Sequence, residues 1–361
     1  MRKQHYEGKN LRLLIGGSSS FLFHLKEFSD TLNSLGVESK LVFDGDYADG
    51  FPSRKIKNWF QSTKKFNKLI DEFKPDAIFV DRQRYFGIDA LKANIPLFVL
   101  LRGHYWSEID WNKKTMYKSL PKRIALWKWD KLGQETFNGA TAIFPICKYL
   151  EEITNKFVPG KPTTVFFEGI NASRWYNAQG MKLKHPCVGL LQHSNWWGKT
   201  SEMLVLKKVL EKMPNVNFYW VGDGPLRERI LSELDKYDNF HWLGKLQYPD
   251  KVREYLSEID IYALITGMDL APLSLKEAQL MKKPVVATKV GGVPEMMMDE
   301  KTGFLVEQGN HEQLIAKLSL LLENKELATK MGNEGRKFIE ETFNWELVTK
   351  NFIESAKHYL K

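Results

Sequence analysis

The feature that most constrains the fold is a regular alternation of short apolar segments with amphipathic helical segments. Apolar segments of strand length recur at 11–17, 39–43, 76–81, 97–101 and 141–146, and helical patterns separate them. Such alternation is typical of a parallel sheet whose two faces are covered by helices. We therefore predict an α/β domain in this half of the chain.

The alternation then begins again in the second half. Further apolar segments lie at 186–192, 217–224, 241–244, 260–265, 284–290 and 303–307. A chain of 361 residues has room for two domains. Two complete rounds of alternating strand and helix segments predict two Rossmann-like domains. The boundary is expected in segment 168–184, which lacks this periodicity. Sheets of this kind bind ligands at the carboxyl ends of their strands, so two facing sheets would form a cleft lined by strand-end loops.

The charge of the chain is unevenly distributed. Its net charge of +9 comes from 53 Lys and Arg against 44 Asp and Glu. Residues 1–168 hold 27 of the basic and 19 of the acidic residues, and the remainder is nearly balanced. A basic surface attracts nucleic acid, anionic lipid or acidic substrates, and charge alone does not choose among them.

The cellular compartment is indicated by cysteine use and by the length of the apolar segments. The two cysteines, Cys147 and Cys187, give neither a disulfide framework nor a metal-ligand spacing. No segment approaches the ~18 consecutive apolar residues of a membrane span, and the run after residue 10 is too short for a signal-peptide core. We expect a cytoplasmic protein.

The most informative segment runs from Asp269 to Glu295. The strand at 260–265 leads into a loop containing Asp269, and a helix begins near Leu273 with Glu277 about one turn inside it. The unpaired N–H groups at a helix start bind phosphate. The segment would therefore offer two carboxylates for sugar hydroxyls and an amide cradle for a diphosphate. The alternative is an acidic residue that only complements the helix dipole.

This segment resembles the donor-binding signature of retaining nucleotide-sugar glycosyltransferases with the GT-B fold, a family that includes sucrose synthases and phosphatidylinositol mannosyltransferases. In that signature two acidic residues are separated by seven, as Asp269 and Glu277 are here. The matching blocks follow in order at 221–225, 269–278, 284–288, 291–295 and 302–306. Together they cover roughly residues 186–345.

The resemblance implies a role for particular residues on both sides of the cleft. Glu277 would hold the nucleotide ribose, and Asp269 would contact the donor sugar. Gly16 and Gly17, with the serines 18–20 after them, resemble the family's glycine loop, for which a plain tight turn is the alternative. His104 directly follows the strand at 97–101 and resembles the family's strand-end histidine near the donor sugar; a purely structural histidine is the alternative.

The diphosphate would be held at the start of the helix and by a basic side chain. The candidate amides belong to Leu273, Ser274 and Leu275. The family usually has Arg and Lys after the first strand of the second domain, but here Lys199 is the only candidate in the loop 192–199. A free surface lysine is the alternative for Lys199.

The sequence departs from the family pattern at three further positions. The resemblance also implies where the final helix packs. Pro272 and Lys282 replace usual glycines, and Glu168 replaces a common Asn. The final helix should cross back to the first domain. The expected domains are thus 1–168 plus 345–361 on the acceptor side, and 169–344 for the nucleotide-sugar donor.

A stretch rich in basic and aromatic residues lies at 105–132. Seven basic residues lie from Lys113 to Lys131, and the stretch 105–132 contains Trp106, Trp111, Trp127 and Trp129. Basic residues with tryptophans suit an anionic membrane surface, and they also suit nucleic acid, although no nucleic-acid motif is present. A solvated helix with one buried aromatic stripe is the alternative. We favour the membrane.

These observations predict an enzyme that transfers a sugar from a nucleotide-diphosphate sugar, with retention, to an acceptor that is lipid-linked or a glycan. No metal ion and no cofactor are expected, because residues 169–361, which would bind the donor, contain no Asp-x-Asp motif and no His/Cys cluster in sequence. Three rivals stay open: a nucleotide-sugar epimerase of the same architecture, a glycosyltransferase acting on DNA, and a catalytically weak nucleotide-sugar binding protein. The protein would be cytoplasmic, with peripheral attachment to the membrane.

Overall fold

A computed structural model describes residues 11–19, 21–53, 59 and 63–361. The serine at position 20, named above with the glycine loop, and residues 1–10 lie outside the described residues. The chain folds into two compact units. The first comprises the described residues up to Gly169 together with Trp345–Lys361, and the second is Ile170–Asn344.

The first unit is built on a parallel five-stranded sheet. In chain order its elements up to residue 157 are β1 (Arg12–Gly17), α1 (Leu22–Ser34), β2 (Glu38–Phe43), α2 (Lys64–Phe73), β3 (Ala77–Asp81), α3 (Tyr85–Lys92), β4 (Leu97–Leu101), α4 (Tyr105–Thr115), α5 (Leu120–Gly139), β5 (Ala142–Pro145) and α6 (Lys148–Phe157). The strand order is β2-β1-β3-β4-β5, and every neighbouring pair is parallel. Every residue of β3, β4 and β5 is buried, as expected where helices cover both faces.

The second unit is built on a parallel six-stranded sheet. Its elements are β6 (Cys187–Leu191), α7 (Trp197–Thr200), α8 (Leu206–Lys212), β7 (Asn217–Val221), α9 (Arg227–Leu234), β8 (Phe240–Gly244), α10 (Asp250–Glu258), β9 (Ile261–Leu264), α11 (Leu273–Leu280), β10 (Val285–Thr288), β11 (Gly303–Val306), α12 (His311–Glu323) and α13 (Lys325–Thr342). The strand order is β11-β10-β9-β6-β7-β8. Read from β8, this is the order of a dinucleotide-binding Rossmann fold, whose direction of winding reverses between β6 and β9.

One helical segment of the second unit is divided. It consists of a 3-10 turn at Ser201–Val205 followed by α8. Met203, Leu206 and Val209 are fully buried at intervals of three residues. Side chains three apart eclipse one another in a 3-10 turn, so this spacing favours that tighter winding at the start of the segment.

The final helix, α14 (Trp345–Leu360), completes the core of the first unit. Phe352 is 2% exposed. Its ring packs against the rings of Phe28, Phe79, Phe98, Phe144 and Phe166. The Tyr359 hydroxyl donates to the Thr163 carbonyl at 3.1 Å.

The fold class predicted from the sequence is therefore confirmed: two parallel α/β units, with the last helix returning to the first. Leu347 lies toward the outer side of this helix, with 39% of its surface exposed. None of the helices in the described part of the chain combines the length and apolar character that a membrane span requires.

Candidate functional site

The carboxyl edge of the second sheet brings together loops that are distant in sequence. Lys199 on α7 follows β6, and its ammonium group pairs with the carboxylate of Asp269, in the loop after β9. The two loops are also joined through the backbone, because the Gly267 N–H donates to the Lys199 carbonyl at 2.9 Å. The pair therefore lies at the strands where the winding of the sheet reverses, which is where open α/β sheets bind ligands.

Two glycines allow these loops to approach so closely. A Cβ on Gly267 would lie 2.2 Å from the carbonyl oxygen of Gly198. Gly291 has a φ of +52°, and a Cβ there would lie 2.2 Å from the Asp269 carbonyl oxygen. The neighbouring Gly292 N–H donates to that same oxygen at 2.9 Å. The close approach of Gly291 and the hydrogen bond from Gly292 therefore hold the backbone of Asp269 in place, which fixes the direction of its side chain.

The start of α11 presents unpaired donors at the same edge. Pro272 occupies the N-cap position and supplies no side-chain cap. The Leu275 N–H donates to the Pro272 carbonyl at 3.2 Å. Within the described residues, the N–H groups of Leu273 and Ser274 have no acceptor. Two of the three amides proposed for the diphosphate thus remain available, whereas that of Leu275 already has a partner.

Glu277 is buried inside α11, with 3% of its surface exposed. Its Oε1 atom has no hydrogen-bond partner in the described part of the chain. Burial raises the pKa of this carboxyl to about 8, although an interaction with the Tyr248 hydroxyl opposes the shift. An isolated buried carboxyl with an unsatisfied oxygen is costly to keep without a partner, so a ligand hydroxyl would complete it.

Several residues that support this half of the site were not recognised in the sequence. The Tyr262 hydroxyl donates to Ser274 Oγ at 2.7 Å, and the Gln192 amide donates to the Ile265 carbonyl at 2.9 Å. Tyr248 follows the carboxyl end of β8 by four residues. Its place after a strand end is the only signal in the sequence that could have identified it.

The first unit contributes a second group of candidate residues at the carboxyl edge of its own sheet. Gly16 and Gly17 are the last two residues of β1, and both are buried. A Cβ on Gly16 would lie 2.7 Å from the Phe86 ring, and one on Gly17 would lie 2.5 Å from the Leu25 side chain. Packing against α3 and α1 therefore accounts for both glycines.

His104 lies three residues beyond the end of β4 and caps α4. Its Nδ1 atom accepts a hydrogen bond from the Ser107 N–H at 3.2 Å, and its Nε2 atom lies 3.2 Å from Ser107 Oγ. Burial lowers the pKa of the imidazole below its ordinary value. The ring is therefore neutral near pH 7, with an orientation fixed by the helix start.

A buried ionic network beside these residues was also missed in the sequence. Asp81, at the end of β3, is fully buried. It accepts hydrogen bonds from Ser18 Oγ at 2.8 Å and from Arg102 Nε at 2.8 Å. Burial raises the pKa of Asp81, but Arg102 and Ser18 outweigh it and hold the pKa below its ordinary value. Glu168, a departure from the family pattern, lies 3.8 Å from Arg102.

The basic and aromatic stretch forms two helices, α4 and α5, rather than one. Trp106 is stacked on Phe157 with ring centroids 4.6 Å apart. Leu120, Ile124 and Trp127 recur at helical spacing along α5, and they are 70%, 47% and 61% exposed. The surface of α5 therefore differs from a solvated helix with one buried aromatic stripe. It exposes large apolar side chains among lysines.

The buried carboxyl of Glu277 generates a prediction about stability. Because its pKa in the folded protein is about 8 against an ordinary 4.5, the folded chain keeps a proton that the unfolded chain releases. The contribution of the protonated carboxyl to the free energy of unfolding is fully present below pH 4.5. It is lost as the pH rises through 8. Glu277→Gln removes this loss, so its melting temperature should exceed that of the wild type more at pH 9 than at pH 5.

The expected gain is on the order of 2–4 °C for each kcal/mol of relieved ionisation. Thermal unfolding of both proteins across this pH range measures it, with Glu312→Gln on the exposed start of α12 as the matched control. Equal pH dependence in the two variants would contradict a buried, protonated Glu277.

Comparison with known proteins shows what the second unit is similar to. Residues 203–338 match the family described as glycosyl transferases group 1. The sulfoquinovosyl transferase SQD2 of Arabidopsis thaliana is 28% identical over 181 residues, which are 48% of this chain and 35% of that protein. An uncharacterized glycosyltransferase of Haemophilus influenzae is 26% identical over 292 residues, or 79% of this chain and 77% of that protein. The chain spans little more than a third of the length of most relatives that it matches.

Solved structures share the fold over nearly the whole chain. The Anabaena protein Alr3699/HepE, crystallised in complex with UDP-glucose, has a TM-score of 0.68 at 15% identity. The alignment covers 97% of this chain and all of that one. The two parallel α/β units agree with these solved structures, so the chain has the GT-B fold, and residues 203–338 of its second unit are similar to glycosyl transferases group 1.

Proposed function

We propose that this protein transfers a sugar from a nucleoside-diphosphate sugar to an acceptor, with retention of the anomeric configuration. The observation that carries the proposal is the grouping, at one sheet edge, of the Lys199–Asp269 pair, the uncapped start of α11 and the buried Glu277. The complex of the structurally similar HepE with UDP-glucose supports a donor of this class. Retention is supported by the resemblance of the donor signature.

Each of these residues then has a task in the reaction. The N–H groups of Leu273 and Ser274 and the Lys199 ammonium group would stabilise the negative charge of the departing diphosphate. Asp269 would weaken its ion pair with Lys199 and orient the donor sugar. Glu277 would accept hydrogen bonds from the ribose. No protein nucleophile is required if the acceptor attacks on the face that the diphosphate leaves.

His104 and the Asp81–Arg102 network form the contribution of the first unit. A neutral imidazole can accept a proton from a hydroxyl or donate a hydrogen bond to a sugar, depending on its tautomer. The arginine and carboxylate hold the ends of β3 and β4 together and keep the loop before α4 in place. Gly16 and Gly17 would let the loop after β1 follow the sheet closely. No metal ion takes part in this scheme.

The rival functions differ from this one in what they produce. An epimerase would interconvert donors in the absence of an acceptor, and a binding protein would hold the donor and release no sugar. Incubation with UDP-, GDP- and ADP-sugars, followed by analysis of the products with and without glycan and lipid acceptors, separates the three. Appearance of an epimer without acceptor would overturn the proposal.

Nucleotide binding should depend strongly on Glu277. The charged carboxylate accepts hydrogen bonds from the ribose, so Glu277→Ala should weaken nucleotide binding by roughly 1.5–3 kcal/mol. Because the free carboxyl is protonated below pH 8, wild-type affinity should also rise with pH toward that value. Calorimetric titration with UDP and GDP measures both effects, and Glu312→Ala is the control. Unchanged affinity in a folded Glu277→Ala protein rules the role out.

Asp269 and His104 should matter more for turnover than for nucleotide affinity, because both are proposed to face the sugar. Asp269→Ala and His104→Ala should each lower kcat by about 10-fold or more while leaving the Kd for the nucleoside diphosphate within a few-fold. Steady-state kinetics with the donor identified by the panel provides the measurement. A variant that keeps near wild-type turnover removes that residue from the proposed site.

We further propose that the exposed face of α5 attaches the first unit to an anionic membrane, where a lipid-linked acceptor would be presented. Leu120, Ile124 and Trp127 supply an apolar ridge, and the lysines around them supply positive charge. A Lys or Arg near such a surface contributes about 1 kcal/mol. Four engaged residues would give about 4 kcal/mol, which corresponds to millimolar binding before any tryptophan insertion.

Vesicle binding tests this attachment. The protein should sediment with phosphatidylglycerol vesicles, less strongly as salt rises, and Ile124→Ser/Trp127→Ser should lose most of the binding. Leu320→Ser, which removes an exposed leucine from α12 in the second unit, is the matched control. Parallel measurements with duplex DNA at physiological salt decide between the two anionic partners. Preference for DNA, or no sedimentation with vesicles, would reject the membrane proposal.

A further inference from the structure

A second cluster of polar side chains lies at the opposite edge of the second sheet. Cys187 is the first residue of β6, and Asp260 immediately precedes β9. Because β6 and β9 are parallel and Val188 pairs with Ile261, Cys187 and Asp260 lie side by side. His185, two residues before Cys187, joins them. The donor residues follow the carboxyl ends of the same strands, roughly 15 Å away along a five-residue strand.

The three side chains direct metal-binding atoms at one another. His185 Nδ1 lies 2.9 Å from Asp260 Oδ2 and 3.7 Å from Cys187 Sγ. All the candidate ligand atoms lie within 4.8 Å of one another. Tetrahedral zinc, with bonds of about 2.3 Å to sulfur and 2.0–2.1 Å to nitrogen and oxygen, places its ligand atoms about 3.3–3.6 Å apart. The separation of Nδ1 and Oδ2 must therefore widen by about 0.4 Å. Asp260 Oδ2 also accepts a hydrogen bond from the Cys187 N–H at 2.8 Å, and the Asp260 side chain is 39% exposed.

The orientation of the His185 imidazole is fixed by a carboxylate at its second nitrogen. His185 Nε2 lies 2.9 Å from Glu258 Oε1. A histidine that binds a metal through one nitrogen commonly donates its other N–H to a carboxylate, which sets the tautomer and holds the ring in place. With Nε2 held by Glu258, zinc would replace the proton between Nδ1 and Asp260, and Nδ1, which faces Cys187 and Asp260, would become the ligand. The arrangement has the ligands and the supporting carboxylate that a bound metal requires.

A cavity gives access to the cluster. Its volume is 640 Å³, and His185, Glu258, Asp260 and Lys283 are among the residues that line it. The Cys187 side chain is fully buried behind this wall. A metal ion entering through the cavity would meet two partly exposed ligands first and the sulfur last. Water from the cavity would then occupy the remaining coordination position.

We propose that His185 Nδ1, Cys187 Sγ and the Asp260 carboxylate bind one zinc ion, with water as the fourth ligand. Sulfur and imidazole nitrogen select zinc over magnesium and calcium, which prefer oxygen ligands. The ion would fasten the segment before β6 to the segment between α10 and β9. It lies at the edge of the sheet opposite to the donor residues, so this site is independent of the proposed sugar transfer.

Metal titration of the full chain tests the proposal. After treatment with a chelator and a reductant, the wild type should bind one zinc ion per chain at this site, and its melting temperature should rise with zinc concentration. Cobalt in place of zinc should give a thiolate-to-cobalt absorption band. Cys187→Ser should abolish that band and weaken zinc binding at least 10-fold, whereas Cys147→Ser, which changes the cysteine of the first unit, should leave both unchanged.

A second variant keeps the test decisive if Cys187→Ser fails to fold. The His185 side chain is 42% exposed, so His185→Gln should fold and should lose zinc binding by a similar factor. His358→Gln, on the exposed side of α14, is its control. Absence of zinc binding in the wild type would show that His185 only bridges two carboxylates. A cobalt band that persists in Cys187→Ser or zinc affinity unchanged in His185→Gln would likewise overturn the site.

Discussion

The parallel pairing of β6 with β9 is the constraint on which both edges of the second unit depend. It places the residues after these strands together at one edge and the residues before them together at the other. Lys199 and Asp269 meet in this way across 70 residues of sequence, and His185 and Asp260 across 75. The Gly267–Lys199 backbone hydrogen bond then locks the loops at the first edge. Without that pairing, neither group of side chains would converge.

The fold and part of the donor site could be predicted because their signals are local. The strands are short and apolar, and Asp269 and Glu277 lie on one loop and the helix after it. The departures from the family pattern also acquire local explanations. Lys282 takes the left-handed conformation with a φ of +56°, as the residue after a helix often does. Pro272 lacks an N–H group, which costs nothing at a position where helix amides are unpaired.

The remaining parts of the sites could not be predicted because they depend on contacts between distant segments. No local pattern pairs Arg102 with Asp81 or Tyr262 with Ser274. The first pair forms when β3 and β4 align, and the second when α11 follows β9 in the folded unit. The sequence predicts that Gly16 and Gly17 admit a ligand or form a tight turn, but it does not reveal that Phe86 and Leu25 pack against them. The buried state of Glu277 likewise follows from packing around α11 rather than from its neighbours in sequence.

The return of α14 to the first unit has a consequence for synthesis on the ribosome. The second unit is an insertion within the first, and its two ends are adjacent, because the Ile170 N–H donates to the Phe343 carbonyl at 2.8 Å. All of its residues emerge before Phe352 does, so it can fold while the first unit still lacks the ring at the centre of its aromatic core. The first unit is thus begun first and completed last, and until Phe352 arrives the apolar surface of its sheet is the kind that promotes aggregation.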